Sequence, residues 1–368
     1  MTHLEHFKGE TRKKGAATEK YRRSRRERIL LFGALSLLLI VLMVISILVG
    51  SYDLTIPRIL SALTGFGDES AGVVIFSLRL PRIAAAVIGG WGLAVSGIVM
   101  QTILKNPLGS PFTLGISHGA AFGAAFAIVI LGAGSSNEGA LRSSAASLLQ
   151  VENVFLLSIM AFAGAIASTV IILLLARMRK MTPDAIVLAG VALSSLFMSG
   201  TILLQYFATE VELASIVFWT FGDVSRSSWH EIALLAAFTA LGTLYFITVR
   251  WDLNAMNTGE DSARGLGVNV ESLRKRVMVI AALISGLVVA FHGVIAFLGL
   301  LAPHIARRIC GENMTMLIPF SSILGALILL GADTAGRTLI GTGTLPVGVV
   351  TSFLGAPLFL YLLIRGRR

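Results

Sequence analysis

Asp333 is the one acid that lies well inside an apolar run of this 368-residue chain, and Arg337 follows it by one helical turn. At that spacing both side chains share a helix face, where an ion pair lowers the cost of carrying either charge through apolar surroundings. Two chemistries fit: a carboxylate that takes up and releases a coupling proton, or a structural pair near the outer end of a span. The structural pair asks for nothing beyond the two residues and is preferred. His118, His292 and His304 stand apart from one another. A lone histidine on an apolar stretch reads as a packing or hydrogen-bonding residue before it reads as a ligand. There is no His-Glu-x-x-His helix and no cysteine pair, so neither a zinc enzyme nor a dithiol centre is written here. No Gly-Lys dipeptide occurs, which removes the phosphate-cradling loop of a P-loop ATPase. Cys310, the sole cysteine, allows no intrachain disulfide and lies beside Arg307 and Arg308.

The elements that carry these residues belong to a bilayer. The chain is 55% hydrophobic and 14% charged with mean hydropathy +0.83, against roughly 25% charged in an average soluble domain. Apolar runs near the ~20 residues that a helix needs to cross ~30 Å of hydrocarbon recur almost to the C-terminus. They predict spans at 29–49, 83–104, 113–131, 154–175, 185–207, 232–249, 277–290, 294–305, 317–339 and 347–364. The expected fold class is therefore an all-α integral membrane protein of about ten transmembrane helices. The seventh and eighth runs are short, separated only by Phe291, His292 and Gly293, and predict tilted, broken or partly re-entrant segments. Gly115, Gly119 and Gly123 recur every fourth residue, a spacing that lets helix backbones approach closely. Pro303 and Pro357 fall inside apolar runs, where they should kink a helix.

The net charge of +10 acquires meaning from its placement. Residues 1–28 form a basic tail carrying Arg12, Lys13, Lys14, Arg22, Arg23, Arg25, Arg26 and Arg28. A nucleic-acid arm is one reading; a cytoplasmic, mostly disordered tail that enforces topology is the simpler one and is taken, with no nucleic acid expected. The following run is too long for a signal-peptide core and lacks a small-x-small cleavage site, so it is read as retained. With the N-terminus inside, the inner loops hold Lys105, Arg177, Arg179, Lys180, Arg250, Arg264, Arg274, Lys275, Arg276, Arg307 and Arg308 and the C-terminal arginines. Arg58, Arg79, Arg82, Arg142, Arg226 and Arg337 lie outside. That asymmetry fits an even number of crossings with both termini cytoplasmic. The longest inner loop after the tail, 250–276, contains Gly259-Glu260-Asp261-Ser262-Ala263-Arg264-Gly265-Leu266-Gly267. This predicts a short helix between glycines, acids first and arginine last as the helix dipole favours: a docking knob or an ordinary solvated loop.

An ordered series of motifs resembles the FecCD-type permeases of ABC importers for siderophores, haem and vitamin B12. The series runs through Arg79-Leu80-Pro81-Arg82, Gln101 with Asn106-Pro107-Leu108-Gly109 and Leu114-Gly115, and Leu188-Ala189-Gly190-Val191-Ala192-Leu193. It continues with the 259–267 loop, Phe297-Leu298-Gly299-Leu300 with Pro303-His304, and Leu345-Pro346-Val347-Gly348 with Gly355-Ala356-Pro357. The resemblance covers residues 29–368 as one permease domain and implies the type II ABC-importer permease fold. It also implies two permease copies or related chains, two ATPase subunits holding ATP and magnesium, and an extracytoplasmic solute-binding protein. No cofactor or metal is expected on this chain, and it is not expected to be an enzyme. By the same resemblance, residues 253–270 form the coupling segment, with Gly259, Glu260, Asp261, Ala263, Arg264, Gly265, Leu266 and Gly267 meeting the ATPase. Arg79, Arg82 and Arg337 receive acids of the binding protein, and Asn106, Leu108, Thr182, Pro183 and Asp184 form a cytoplasmic gate. Two positions depart from the family pattern: Pro183-Asp184 replaces small hydroxyl residues found in some members, and Thr344 stands where many carry an acid.

The expected function is thus an importer permease in the cytoplasmic membrane for an iron-siderophore-like chelate, with cobalamin or haem as the alternative cargo. A secondary transporter driven by protons or sodium is the alternative of another class. It would need buried carboxylates or unwound polar sites that this chain scarcely offers.

Overall fold

The structure is a computed structural model that describes residues 26–50, 52, 55–63, 69–133, 146–179, 182–339 and 344–365. Most of the basic tail, together with Arg142, Lys180, Arg367 and Arg368, lies outside the described residues.

Among the described residues the secondary structure is helical throughout. The helices run α1 (Arg26–Leu48), α2 (Ile56–Leu63), α3 (Glu69–Val73), α4 (Leu80–Ile103), α5 (Ile116–Val129), α6 (Ala146–Arg179), α7 (Pro183–Phe207) and α8 (Glu210–Thr220). They continue with α9 (Trp229–Thr248), α10 (Arg250–Thr258), α11 (Glu260–Gly265), α12 (Val270–His292), α13 (Leu298–Cys310), α14 (Met314–Thr338) and α15 (Val347–Arg365). A π-helical stretch, Val74–Arg79, joins α3 to α4 without a break.

Each predicted span coincides with one of these helices. Seven are long and apolar enough to cross a membrane, while α5, α13 and the apolar part of α15 are shorter. The seventh span is longer than its apolar run suggested. Asn269 caps α12 by accepting from the Ser272 amide, so the helix starts at Val270 and takes Arg274, Lys275 and Arg276 into its first turns. The eighth is broken as expected. Gly293 (φ 74°) and Phe297 (φ 64°) bracket a non-helical stretch, and α13 begins only at Leu298, a 13-residue helix of about 20 Å at 1.5 Å per residue. That stretch is sheltered by protein: the Asp223 amide donates to the carbonyl of His292, and Gly293 lies against the carbonyl of Trp219. Pro303 and Pro357 lie inside α13 and α15.

Helix α4 is the central post, packed by α9, α12, α13 and α14. It approaches α14 where two glycines face each other: a Cβ on Gly90 would stand 2.3 Å from the carbonyl of Gly325. The glycine spacing at the start of α5 serves the same end against α6, since a Cβ on Gly119 would stand 2.4 Å from the carbonyl of Gly164. Gly115 has a different part, taking φ 76° as the residue that opens α5. In contrast, α1 meets the body along a single face, through Phe32, Leu35, Leu39, Leu42, Met43 and Ile47, and 6% of its apolar window is buried.

Helix α8 falls between two predicted spans, and α9 begins at Trp229, ahead of the span predicted at 232–249. Thr209 and Glu212 form a reciprocal capping box that starts α8, and Ser228 and Glu231 form another that starts α9. The face at the start of α4 and the face at its end are about 36 Å apart, from 24 residues at 1.5 Å.

Candidate functional site

At the face where α4 begins, three arginines and one acid form a connected cluster. Arg82 donates through Nε to both carboxylate oxygens of Asp333, at 2.9 and 3.2 Å, and its Nη2 lies 2.9 Å from Oδ1. Arg337, one turn beyond Asp333, pairs with Oδ2 at 3.3 Å. The Asp333 side chain is completely buried, so the predicted pair is present and is in fact a triad. Asp223 stands at the rim, 3.9 Å from Arg82.

The same arginines hold the end of α1. Arg337 donates to the carbonyls of Ser46 and Val49 at 3.2 and 3.0 Å and to the Ser46 hydroxyl. Arg79, 6% exposed at the close of the π stretch, donates to the carbonyls of Ile47, Leu48 and Tyr52. Cations at a helix C-terminus satisfy orphan carbonyls and meet the negative end of its dipole. Arg79, Arg82 and Arg337 thus lie on one face, with their guanidiniums engaged within the chain.

At the opposite face, α11 has the anticipated form. Gly259 (φ 128°) precedes it and Gly267 (φ 87°) follows it, conformations that favour glycine. Glu260 and Asp261 open the helix, Arg264 pairs with them at 3.8 and 3.7 Å, Ala263 is buried and Leu266 is 72% exposed. Two clamps secure this segment. Arg274 of α12 binds the Glu260 carboxylate and donates through Nε to the carbonyl of Ile103, the last residue of α4, at 3.2 Å. Asn254 of α10 accepts from the Met314 amide at 2.8 Å, and Asn257 donates to the carbonyl of Glu312 at 3.2 Å. The segment is therefore tied to both α4 and α14.

The turn after α4 is tight. Asn106 accepts from the Leu108 amide through its side chain and from the Gly109 amide through its carbonyl, at 2.8 and 2.9 Å. Thr113 donates to the carbonyl of Leu108 at 3.0 Å. Thr182 caps α7, with Pro183 and Asp184 in its first turn. Gly190 of α7 packs on the same loop, where a Cβ would stand 2.8 Å from the carbonyl of Thr113. Helix α7, which Thr182 caps, thus leans on the loop that follows the Asn106–Leu108 turn.

Beside them, a cleft of about 730 Å³ opens between the end of α4, the α10–α11 joint and the last turns of α13. Arg274 and this cleft were not singled out from the sequence as functional, and Asn254 was included only as part of the 253–270 segment. Their partners are carbonyls and residues far along the chain, which leave no local signal.

The run Gly115-Ile116-Ser117-His118-Gly119 also fits the Gly-x-Ser-x-Gly spacing of a hydrolase nucleophile elbow. The fold excludes that role here: an elbow needs a strand turning into a helix, whereas Gly115 follows a helical turn and Ser117 is buried in α5.

The FecCD transport family model matches residues 38–365. A chain of Methanocaldococcus jannaschii that bears the name of an ABC transporter permease is 48% identical over 348 residues, covering 94% of this chain and 97% of that one. The Fe(3+)-citrate import system permease YfmE of Bacillus subtilis is 35% identical, covering 94% and 98%. The hemin transport permease of Yersinia pestis is 32% identical, covering 92% and 96%. A solved structure described as an inward-facing metal-chelate-type ABC transporter superposes with TM-score 0.78 at 32% identity, covering 91% of this chain and 99% of that one.

Proposed function

Because the chain belongs to the FecCD transport family, whose members are transport subunits that leave ATP hydrolysis to a separate ATPase, we propose that it forms the membrane pathway of an importer for an iron chelate. The citrate and hemin relatives and the metal-chelate neighbour support this cargo class over cobalamin. In this reading two permease chains surround the pathway, two ATPases holding ATP and magnesium sit under the α11 face, and a solute-binding protein seats on the opposite face. Both termini then lie in the cytoplasm.

The observation that carries the proposal is the double clamp on residues 253–270. A knob standing on a floppy loop could not move the spans, whereas this one is fastened to α4 through Arg274 and to α14 through Asn254. Closure of the ATPases would shift α4, and with it the Asn106–Leu108 turn, as a rigid body. The opposite segment at Thr182, Pro183 and Asp184 completes the gate. On the far face Arg79, Arg82 and Arg337 act on the binding protein through their field. Arg82 and Arg337 stand against Asp333, and Arg82 near Asp223, while Arg79 holds the end of α1, so all three guanidiniums stay bound, which favours orientation and on-rate over contact energy.

The test is uptake of ferric chelate into proteoliposomes holding the chain, its ATPase and its binding protein. Uptake should survive collapse of proton and sodium gradients and stop when ATP hydrolysis is blocked; the reverse pattern overturns the proposal. Mass spectrometry of the ligand carried by the co-purified binding protein identifies the cargo.

A further inference from the structure

The cleft beside α11 lies where the turn holding Asn106 meets the joint at Gly259, and its charged wall has no part in the coupling or gating described above. Lys105, Arg307 and Arg308 line it against one carboxylate, Glu312. The acids of the adjoining helix are engaged elsewhere, Glu260 with Arg274 and Arg264 and Asp261 with Arg264, so neither of them balances Lys105 and Arg307. His304 presents an unpartnered Nε2 there.

Two details show that this wall is shaped. Lys105 takes φ 47°, a conformation few residues other than glycine adopt, and such departures cluster where a side chain must be aimed. Its Nζ lies 4.0 Å from where a Cβ on Gly259 would stand, so the ammonium sits over the α10–α11 joint. Lower down, Gln101 is 3% exposed. Its Nε2 donates to the carbonyl of Gly299 at 3.3 Å, which leaves Oε1 buried and without a donor.

Cations on the wall and an unfilled acceptor beneath them ask for an occupant with carboxylates and an N–H group. Because Gly259 belongs both to the cleft and to the cap of α11, whatever seats on α11 covers the cleft. We propose that the cleft receives an acidic loop of the ATPase subunit, its carboxylates on Lys105 and Arg307 and a backbone N–H toward Gln101. This rests on the importer reading above. It adds to the α11 knob a socket, so that each partner both inserts and receives.

The experiment uses the full permease–ATPase complex in detergent. Zero-length carbodiimide coupling, followed by peptide mapping, should join the Lys105 amine to an Asp or Glu of the ATPase. Arg307→Glu should weaken ATPase binding by about tenfold at low ionic strength, with the difference shrinking as salt rises. Lys105→Gln, a change at an exposed position, gives the same reading if Arg307→Glu fails to fold, and thermal unfolding of each variant separates the cases. Unchanged affinity of both variants across salt, or coupling of Lys105 to no ATPase carboxylate, overturns the proposal. So does protection of Lys105 by inorganic phosphate or ATP in the absence of the ATPase, which would assign the cleft to a small anion. Failure of the wild-type chain to bind any ATPase would instead overturn the importer reading itself.

Discussion

Arg274 reaches the carbonyl of Ile103 across 171 positions of sequence, donating at 3.2 Å from one edge of a guanidinium whose other edge holds Glu260. One side chain thereby joins the helix expected to meet the ATPase to the last turn of the central post. Glu260 and Arg274 are both mostly shielded from solvent, so the contact is screened less than a surface pair.

Replacing Arg274 should separate ATP hydrolysis from transport. Arg274→Gln loses charge-assisted hydrogen bonds worth about 1.5–3 kcal/mol in total coupling, a roughly tenfold or greater fall in chelate taken up per ATP hydrolysed. Glu260→Arg with Arg274→Glu restores the ion pair but cannot donate to Ile103, so it should remain uncoupled. Side-by-side measurement of uptake and phosphate release checks this, and full rescue by the swap would show that the Ile103 carbonyl is irrelevant.

The glycines around α11 should differ in sensitivity. Gly259 has φ 128° and ψ 151°, a region that costs a side chain about 1–3 kcal/mol, whereas Gly265 has open space around it and an ordinary helical backbone. Gly259→Ala should reduce coupled uptake while Gly265→Ala leaves it near wild type. Equal effects of the two would remove the backbone argument.

Asp333 should prove to be a brace. Asp333→Asn strands Arg82 and Arg337 in a buried setting, and breaking such a cluster typically costs about 3–5 kcal/mol. Thermal unfolding in detergent should show a large loss of stability, and the variant that does fold should transport without any change in dependence on the proton gradient. A stable variant with altered proton dependence would revive the proton-coupling reading.

Loss of Arg79 should loosen the end of α1. Arg79→Met removes the donors to Ile47, Leu48 and Tyr52, so amide exchange should quicken in residues 46–50 while the centre of α4 stays protected. Binding-protein capture should weaken in parallel, more at low salt. Weakened capture with unchanged exchange would mean that Arg79 meets the partner directly.

Much of this arrangement could be read ahead of the fold, and the parts that could not share a cause. The ten spans were legible because hydrocarbon thickness dictates run length, as in 83–104, and because a full turn links Asp333 to Arg337. Gly119 declared a close approach by its spacing, though nothing named Gly164 as its neighbour. What stayed hidden was the engagement of Arg79 with Ile47 and of Arg274 with Ile103. Both arginines bind backbone carbonyls, which every residue carries, so the side chains at the receiving end give no sign. Helix α8 was missed for a different reason: its start was written plainly as Thr209-x-x-Glu212, but its polar first turn reads as a connection.

The shortness of α13 bears on how the chain is put into the membrane. Thirteen residues with Arg307 and Arg308 in their last turn are too few to partition into lipid unaided. The stretch 293–297 ahead of them is non-helical, and its backbone, sheltered by protein in the fold, could not be satisfied by lipid. This crossing must therefore wait for α4 and α14, which flank it, to provide a proteinaceous surface. Biogenesis then has an order, in which the eighth segment follows α4 and α14 into place.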